Sequence, residues 1–126
     1  MRIMAKKFKE LKKGDTLYYI EKMNLTDGVQ KDILCKDISV REDNGEHYFE
    51  LIRNVGWVYI PKSALSRSVS SQLYTIYGTS PEIVLDAAQK FINKGLERFD
   101  KLIALEEQRL ELLKKQRKGI ANLLKK

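Results

Sequence analysis

Residues 72–92, QLYTIYGTSPEIVLDAAQKFI, divide the chain into two kinds of sequence. Before Gly78 the apolar residues are largely aromatic and β-branched and come in short runs; after it they recur three and four apart. Gly78-Thr79-Ser80-Pro81-Glu82 reads as a helix start. Thr79 as N-cap would have Glu82 three residues on, a capping box, with Pro81 where its missing N–H costs little. The 46 residues 81–126 contain no proline after the first. As one helix they would run about 70 Å at 1.5 Å per residue, more than a small domain can cover. Asn93-Lys94-Gly95 is a C-cap signal and the weakest point of this helix. Ile92, Leu96, Phe99, Ile103, Leu110 and Leu113 nevertheless hold their spacing through it, so a single amphipathic helix is expected.

Working back from Gly78, segments 16–22, 29–40, 46–53, 56–60 and 69–77 carry strand composition, separated by the turn signals Asp27-Gly28 and Asp43-Asn44-Gly45. Five short strands in about 60 residues are too few for two full sheets, so closure into a small barrel is expected. Leu17, Tyr19, Leu34, Ile38, Leu51, Val58 and Ile60 would fill it. The fold class is therefore α+β: a basic segment 1–13, a β domain 14–77 and a C-terminal amphipathic helix 81–126 with a basic end.

Two stretches resemble SH3-like barrels, in particular the bacterial type. KKGDTLYYI, residues 12–20, resembles the turn in which Gly-Asp feeds an alternating strand. HYFELIRNVGWVYIPKSAL, residues 47–65, is similar to the closing segment: a strand, a short turn, Gly-Trp-Val, then a one-turn helix. The family's opening segment has no counterpart among these residues, segment 29–40 is expected to be an extra or lengthened strand, and no catalytic domain is expected beside the barrel. A lone barrel with a lysine-rich helical tail also resembles small proteins of bacteriophages and mobile elements.

The formal charge is +7, and it is confined to the ends. Residues 1–13 sum to +5 and residues 112–126 to +6, leaving −4 for residues 14–111. Lys6, Lys7, Lys12, Lys13, Lys114, Lys115, Arg117 and Lys118 are the candidate phosphate contacts, with weak nucleic-acid binding as the expectation. No apolar run approaches the roughly 20 residues of a membrane span, and the N-terminal stretch lacks the apolar region of a secretory signal. A cytoplasmic protein is expected, or a virion-associated one if phage-encoded.

Catalytic chemistry finds little to work with. The single Cys35 excludes an intrachain disulfide, and with the single His47 it leaves no ligand set for zinc. A thiolate and imidazole pair would need a third orienting group that the sequence does not show. No glycine array forms a nucleotide cradle. Neither enzymatic activity nor a cofactor, metal or small-molecule substrate is expected.

Aromatic placement says more. With Val58 and Ile60 inward, alternation turns Trp57 and Tyr59 outward. With Tyr18 and Tyr48 they would make an aromatic binding face. On the helix, Ile92, Phe99, Glu106, Leu113 and Ile120 alternate with Leu96, Ile103, Leu110, Arg117 and Leu124 in one seam. Its two charged members, of opposite sign, disfavour parallel pairing of identical helices and suit antiparallel pairing. The expected function is non-enzymatic assembly or adaptor work, the β domain docking on a protein partner and the helix forming a homo-oligomer or entering a larger complex. A nucleic-acid-binding barrel and an inhibitor of a host protein are the alternatives.

Overall fold

The computed structural model describes residues 5–54 and 56–125. Among the described residues, seven strands, β1 (Thr16–Glu21), β2 (Gln30–Ile33), β3 (Ser39–Val40), β4 (His47–Glu50), β5 (Trp57–Ile60), β6 (Val69–Ser71) and β7 (Thr75–Gly78), precede one long helix, α1 (Pro81–Leu124). They form two antiparallel sheets, in the orders β2-β1-β7-β6 and β3-β4-β5. Neither sheet closes into a barrel. Between them the ladder is reduced to the isolated Leu34–Leu51 bridge, flanked by Cys35 N–H to Glu50 O at 3.0 Å and Ile52 N–H to Ile33 O at 3.0 Å.

Two expected strands turn out to be two elements each. Segment 29–40 breaks after Leu34, because the chain leaves one sheet for the other there while keeping both Leu34 and Ile38 on the core they share. Segment 69–77 is a hairpin, with Gln72 N–H bonded to Thr75 O at 2.9 Å. Leu73 and Tyr74 occupy its exposed tip, where their strand-like composition is uninformative.

Residues 5–13 belong to the β domain. Phe8 is fully buried, its ring 6.1 Å from that of Phe49, and Leu11 is buried beside it. Phe8 N–H and Lys9 N–H bond Arg67 O and Leu65 O at 2.9 and 3.0 Å. The lysines of this basic segment are thus interleaved with apolar anchors, each contributing about 1.5 to 3 kcal/mol when fully buried. Residues 1–4 of the segment, with Arg2, and Lys126 at the helix end lie outside the described residues.

β1 is covered on both faces. Leu17 points into the core between the sheets, with Phe49, Leu51, Val58 and Ile60. Ile20, of opposite parity, joins Ile76, Val84 and Ala88 in a second core under the first turns of α1. The helix starts at Pro81, as its expected bounds have it, but its N-cap lies one residue later than the capping box placed it: Ser80 Oγ accepts from Ile83 N–H at 3.4 Å. Thr79, freed from capping, donates its hydroxyl to Lys6 O.

By compactness the chain divides into Met1–Lys90 and Phe91–Lys126. α1 runs unbroken through Gly95, as the unslipped seam predicts, and continues through Gly119, where a glycine seven residues from the end is expected to loosen the tip. Neither glycine is crowded, so each costs the helix propensity alone, about 1 kcal/mol.

Candidate functional site

The outer face of the β3-β4-β5 sheet carries the aromatic cluster. β4 and β5 pair with Tyr48 opposite Tyr59 and Glu50 opposite Trp57, so inward Phe49, Val58 and Ile60 force Tyr48, Trp57 and Tyr59 outward together. Their ring centroids lie 5.3 Å (Tyr48–Trp57), 6.3 Å (Tyr48–Tyr59) and 6.3 Å (Trp57–Tyr59) apart, all in tilted or edge-on arrangements. Trp57 is half-exposed. Tyr18 does not join them: it sits on the other sheet, packed against the core under α1, because even-numbered residues of β1 face the helix.

Two cations that alternation could not place rim this cluster. The Arg41 guanidinium stands 5.3 Å from the Trp57 ring centroid and donates to Tyr59 Oη at 3.0 Å and to both Asp43 carboxylate oxygens at 3.0 and 2.7 Å. Lys36 Nζ lies 5.2 Å from the Tyr48 centroid and 3.0 Å from Glu50 Oε1. The Glu50 carboxylate, then the Tyr48 hydroxyl, holds the Lys36 ammonium above its usual range. Each cation already has its own carboxylate, so the rim is balanced in charge. A phosphate would have to displace Asp43 or Glu50, whereas a flat apolar or aromatic side chain would meet no such competitor. The arrangement suits protein docking better than a polyanion.

Where the two sheets adjoin, Tyr19, Glu21 and Tyr77 of the four-stranded sheet and Trp57 of the other line a cleft of about 230 Å³, which the strand pattern did not reveal. The Tyr19 and Tyr77 rings are 6.1 Å apart, and burial pushes the Tyr77 hydroxyl upward in pKa. The residues weighed for chemistry are not assembled into a catalytic pair: Cys35 Sγ approaches Glu50 Oε2 at 3.8 Å, and His47 lies in the β4 ladder opposite Val40 and Ile60. Among the described residues no group of three or more His, Cys, Asp or Glu side chains is placed to hold a metal ion.

The second surface is on residues 91–126. From Leu96 onward every described residue is exposed, and the seam with it. Leu113, the least exposed of the seam leucines, still shows 49% of its surface, and Leu124 84%. Leu102, Leu105, Leu112 and Leu123 lie exposed outside the ten seam positions, which widens the apolar band beyond the sequence reading. Two shallow hollows mark it. Phe99, Leu102, Ile103, Glu106, Glu107 and Leu110 line one of about 430 Å³. Leu113, Gln116, Arg117, Ile120, Ala121 and Leu124 line one of about 440 Å³.

The candidate phosphate contacts fall on both units, Lys6, Lys7, Lys12 and Lys13 on one and Lys114, Lys115, Arg117 and Lys118 on the other. All are exposed. Lys6 is paired with Asp15 at 3.3 Å and Lys114 with Glu111 at 3.7 Å. Among the described residues no helix is long and apolar enough to cross a membrane. Compared with protein-family models, curated proteins and solved structures, the chain matches none.

Proposed function

We propose that this chain is a non-enzymatic assembly protein, in which helix residues 91–126 self-associate and the β domain docks on a protein partner through Tyr48, Trp57 and Tyr59. The observation that carries the reading is the exposed seam. A helix that keeps apolar residues at eight of ten in-phase positions, with none of them from Leu96 onward covered by its own chain, gains stability by pairing. The charge-balanced aromatic cluster supports a protein rather than a polyanion at the β domain. Kinship with SH3-like barrels is part of this proposal, supported by the order of β4, Gly56 leading into Trp57-Val58 of β5, and the one-turn helix Lys62–Ala64. So is a phage or mobile-element setting, which rests on the resemblance in cast alone.

Light scattering on the full chain and on a chain ending at Gly95 tests the self-association. The full chain is expected to be a dimer or larger at micromolar concentration, and the shortened chain a monomer. Circular dichroism of the shortened chain is expected to show a cooperatively melting β domain, since both cores lie within residues 1–90. A monomeric full chain would remove the basis of the proposal. Nucleic-acid binding through the lysine-rich ends is expected to be weak and unspecific. In gel shifts it should vanish between about 50 and 200 mM salt, where each released counterion steepens the loss. Nanomolar binding that survives this range would favour nucleic acid as the partner instead.

A further inference from the structure

We infer that the seam is covered by a second copy of the same helix, antiparallel, in the register where the numbers of facing residues sum to 223. This rests on the self-association proposed above and adds to it the partner, the direction and the register. The two hollows supply the first argument. In this register every residue lining one faces a residue lining the other. Phe99 meets Leu124 of the second copy, Ile103 meets Ile120, Leu110 meets Leu113, and bulky Leu102 meets small Ala121. The same operation applied twice returns the original chain, so one two-fold axis, passing between Glu111 and Leu112, creates all these contacts twice.

Charge supplies the second argument, independently. Glu106 and Arg117 are the charged members of the seam, and they face each other only here, since 106 and 117 also sum to 223. Shifting by one heptad to a sum of 216 sets Glu106 on Leu110 and Arg117 on Phe99. Shifting the other way, to 230, sets them on Leu124 and Leu113. Either shift desolvates four charges without partners, which strongly disfavours it. An in-register parallel pair sets Glu106 on Glu106 and Arg117 on Arg117, and brings the two +6 ends together. In the antiparallel register the +6 segment 112–126 instead runs along residues 97–111, which sum to −2. Glu106 is available for this exchange: its intrahelical contact, with Arg109, is exposed and 3.8 Å long.

Two measurements on the full chain, both in a Cys35→Ser background, test the register. Arg117→Glu is expected to weaken dimerisation at least about a hundredfold by analytical ultracentrifugation, and adding Glu106→Arg to restore it. An equimolar mixture of Ile103→Cys and Ile120→Cys chains is expected to form the mixed disulfide under mild oxidation, and Ile103→Cys alone to stay reduced. Its two thiols would lie 17 residues, about 25 Å, apart along the pair. Far-UV circular dichroism checks that each variant keeps its helix. If the unmodified chain is a monomer at high micromolar concentration, the proposed self-association itself fails. If it dimerises but Ile103→Cys links to itself, or the charge reversal changes nothing, self-association stands and this register is overturned.

Discussion

Replacing Asp32 with alanine is expected to lower the stability of the β domain by about 3 kcal/mol, a drop in melting temperature of about 12 to 24 °C for a domain of this size. Asp32 is 2% exposed, yet no cationic side chain holds it among the described contacts. Its carboxylate instead accepts backbone N–H groups: Ile33 at 2.8 Å, Arg53 at 3.1 and 3.2 Å to the two oxygens, and Asn54 at 3.0 Å. The side chain therefore fastens the loop after β4 onto β2, close to the isolated Leu34–Leu51 bridge between the sheets. Alanine leaves three donors to find water; each such hydrogen bond to a charged group is worth about 1.5 to 3 kcal/mol net, and removal of the buried carboxylate's own desolvation cost offsets part of the sum. Asparagine keeps one acceptor oxygen and should recover about half of the loss. Urea denaturation of the three chains reads this directly, and a loss below about 1 kcal/mol for alanine would show that the loop is held by something else.

Gly78→Ala is the second large expected effect, at about 1 to 3 kcal/mol of destabilisation from overpacking. A Cβ at position 78 would come within 2.6 Å of Val84 Cγ2 and 3.4 Å of Ser68 O. Val84 cannot step aside. It is fully buried against Ile20 and Ile76, and a β-branched side chain in a helix has essentially one comfortable rotamer. Val84→Ala removes the clashing methyl at the cost of a small cavity. The double variant Gly78→Ala with Val84→Ala should therefore be less destabilised than the two single losses added together, by about 1 kcal/mol or more in a double-mutant cycle. Strict additivity would mean that the helix does not pack on β7 at this glycine. The sequence marks Gly78 as punctuation between strand and helix, and its role as the point of closest approach is invisible there.

How far the chain could be read from its letters varies with the range of the interaction. The helix was legible, including its passage through Gly95, because periodicity is a property of neighbours three and four apart. The outward aromatics of β5 were legible for the same reason: Trp57, Val58, Tyr59 and Ile60 alternate, and Val58 and Ile60 are plainly core. The N-cap was misplaced by one residue because Thr79 and Ser80 are chemically equivalent candidates, and Thr79 was claimed by Lys6, 73 positions away.

Local chemistry in the sequence was thus enough to establish an α+β chain, a long uninterrupted helix with a charged and apolar seam, and an aromatic stripe on one strand. Folding in three dimensions settled the rest. It made two open sheets where a closed barrel was expected, drew Phe8 and Leu11 of the lysine-rich start into the core, and turned Tyr18 away from Tyr48 and Trp57. It also set Arg41 on Trp57, and Asp32 under Arg53 and Asn54. Each of these depends on a pairing between residues 16 or more positions apart or on which face of β1 a second layer happens to cover. Composition and spacing along the chain do not encode such pairings, because burial and hydrogen-bond satisfaction are decided by what the rest of the fold brings alongside.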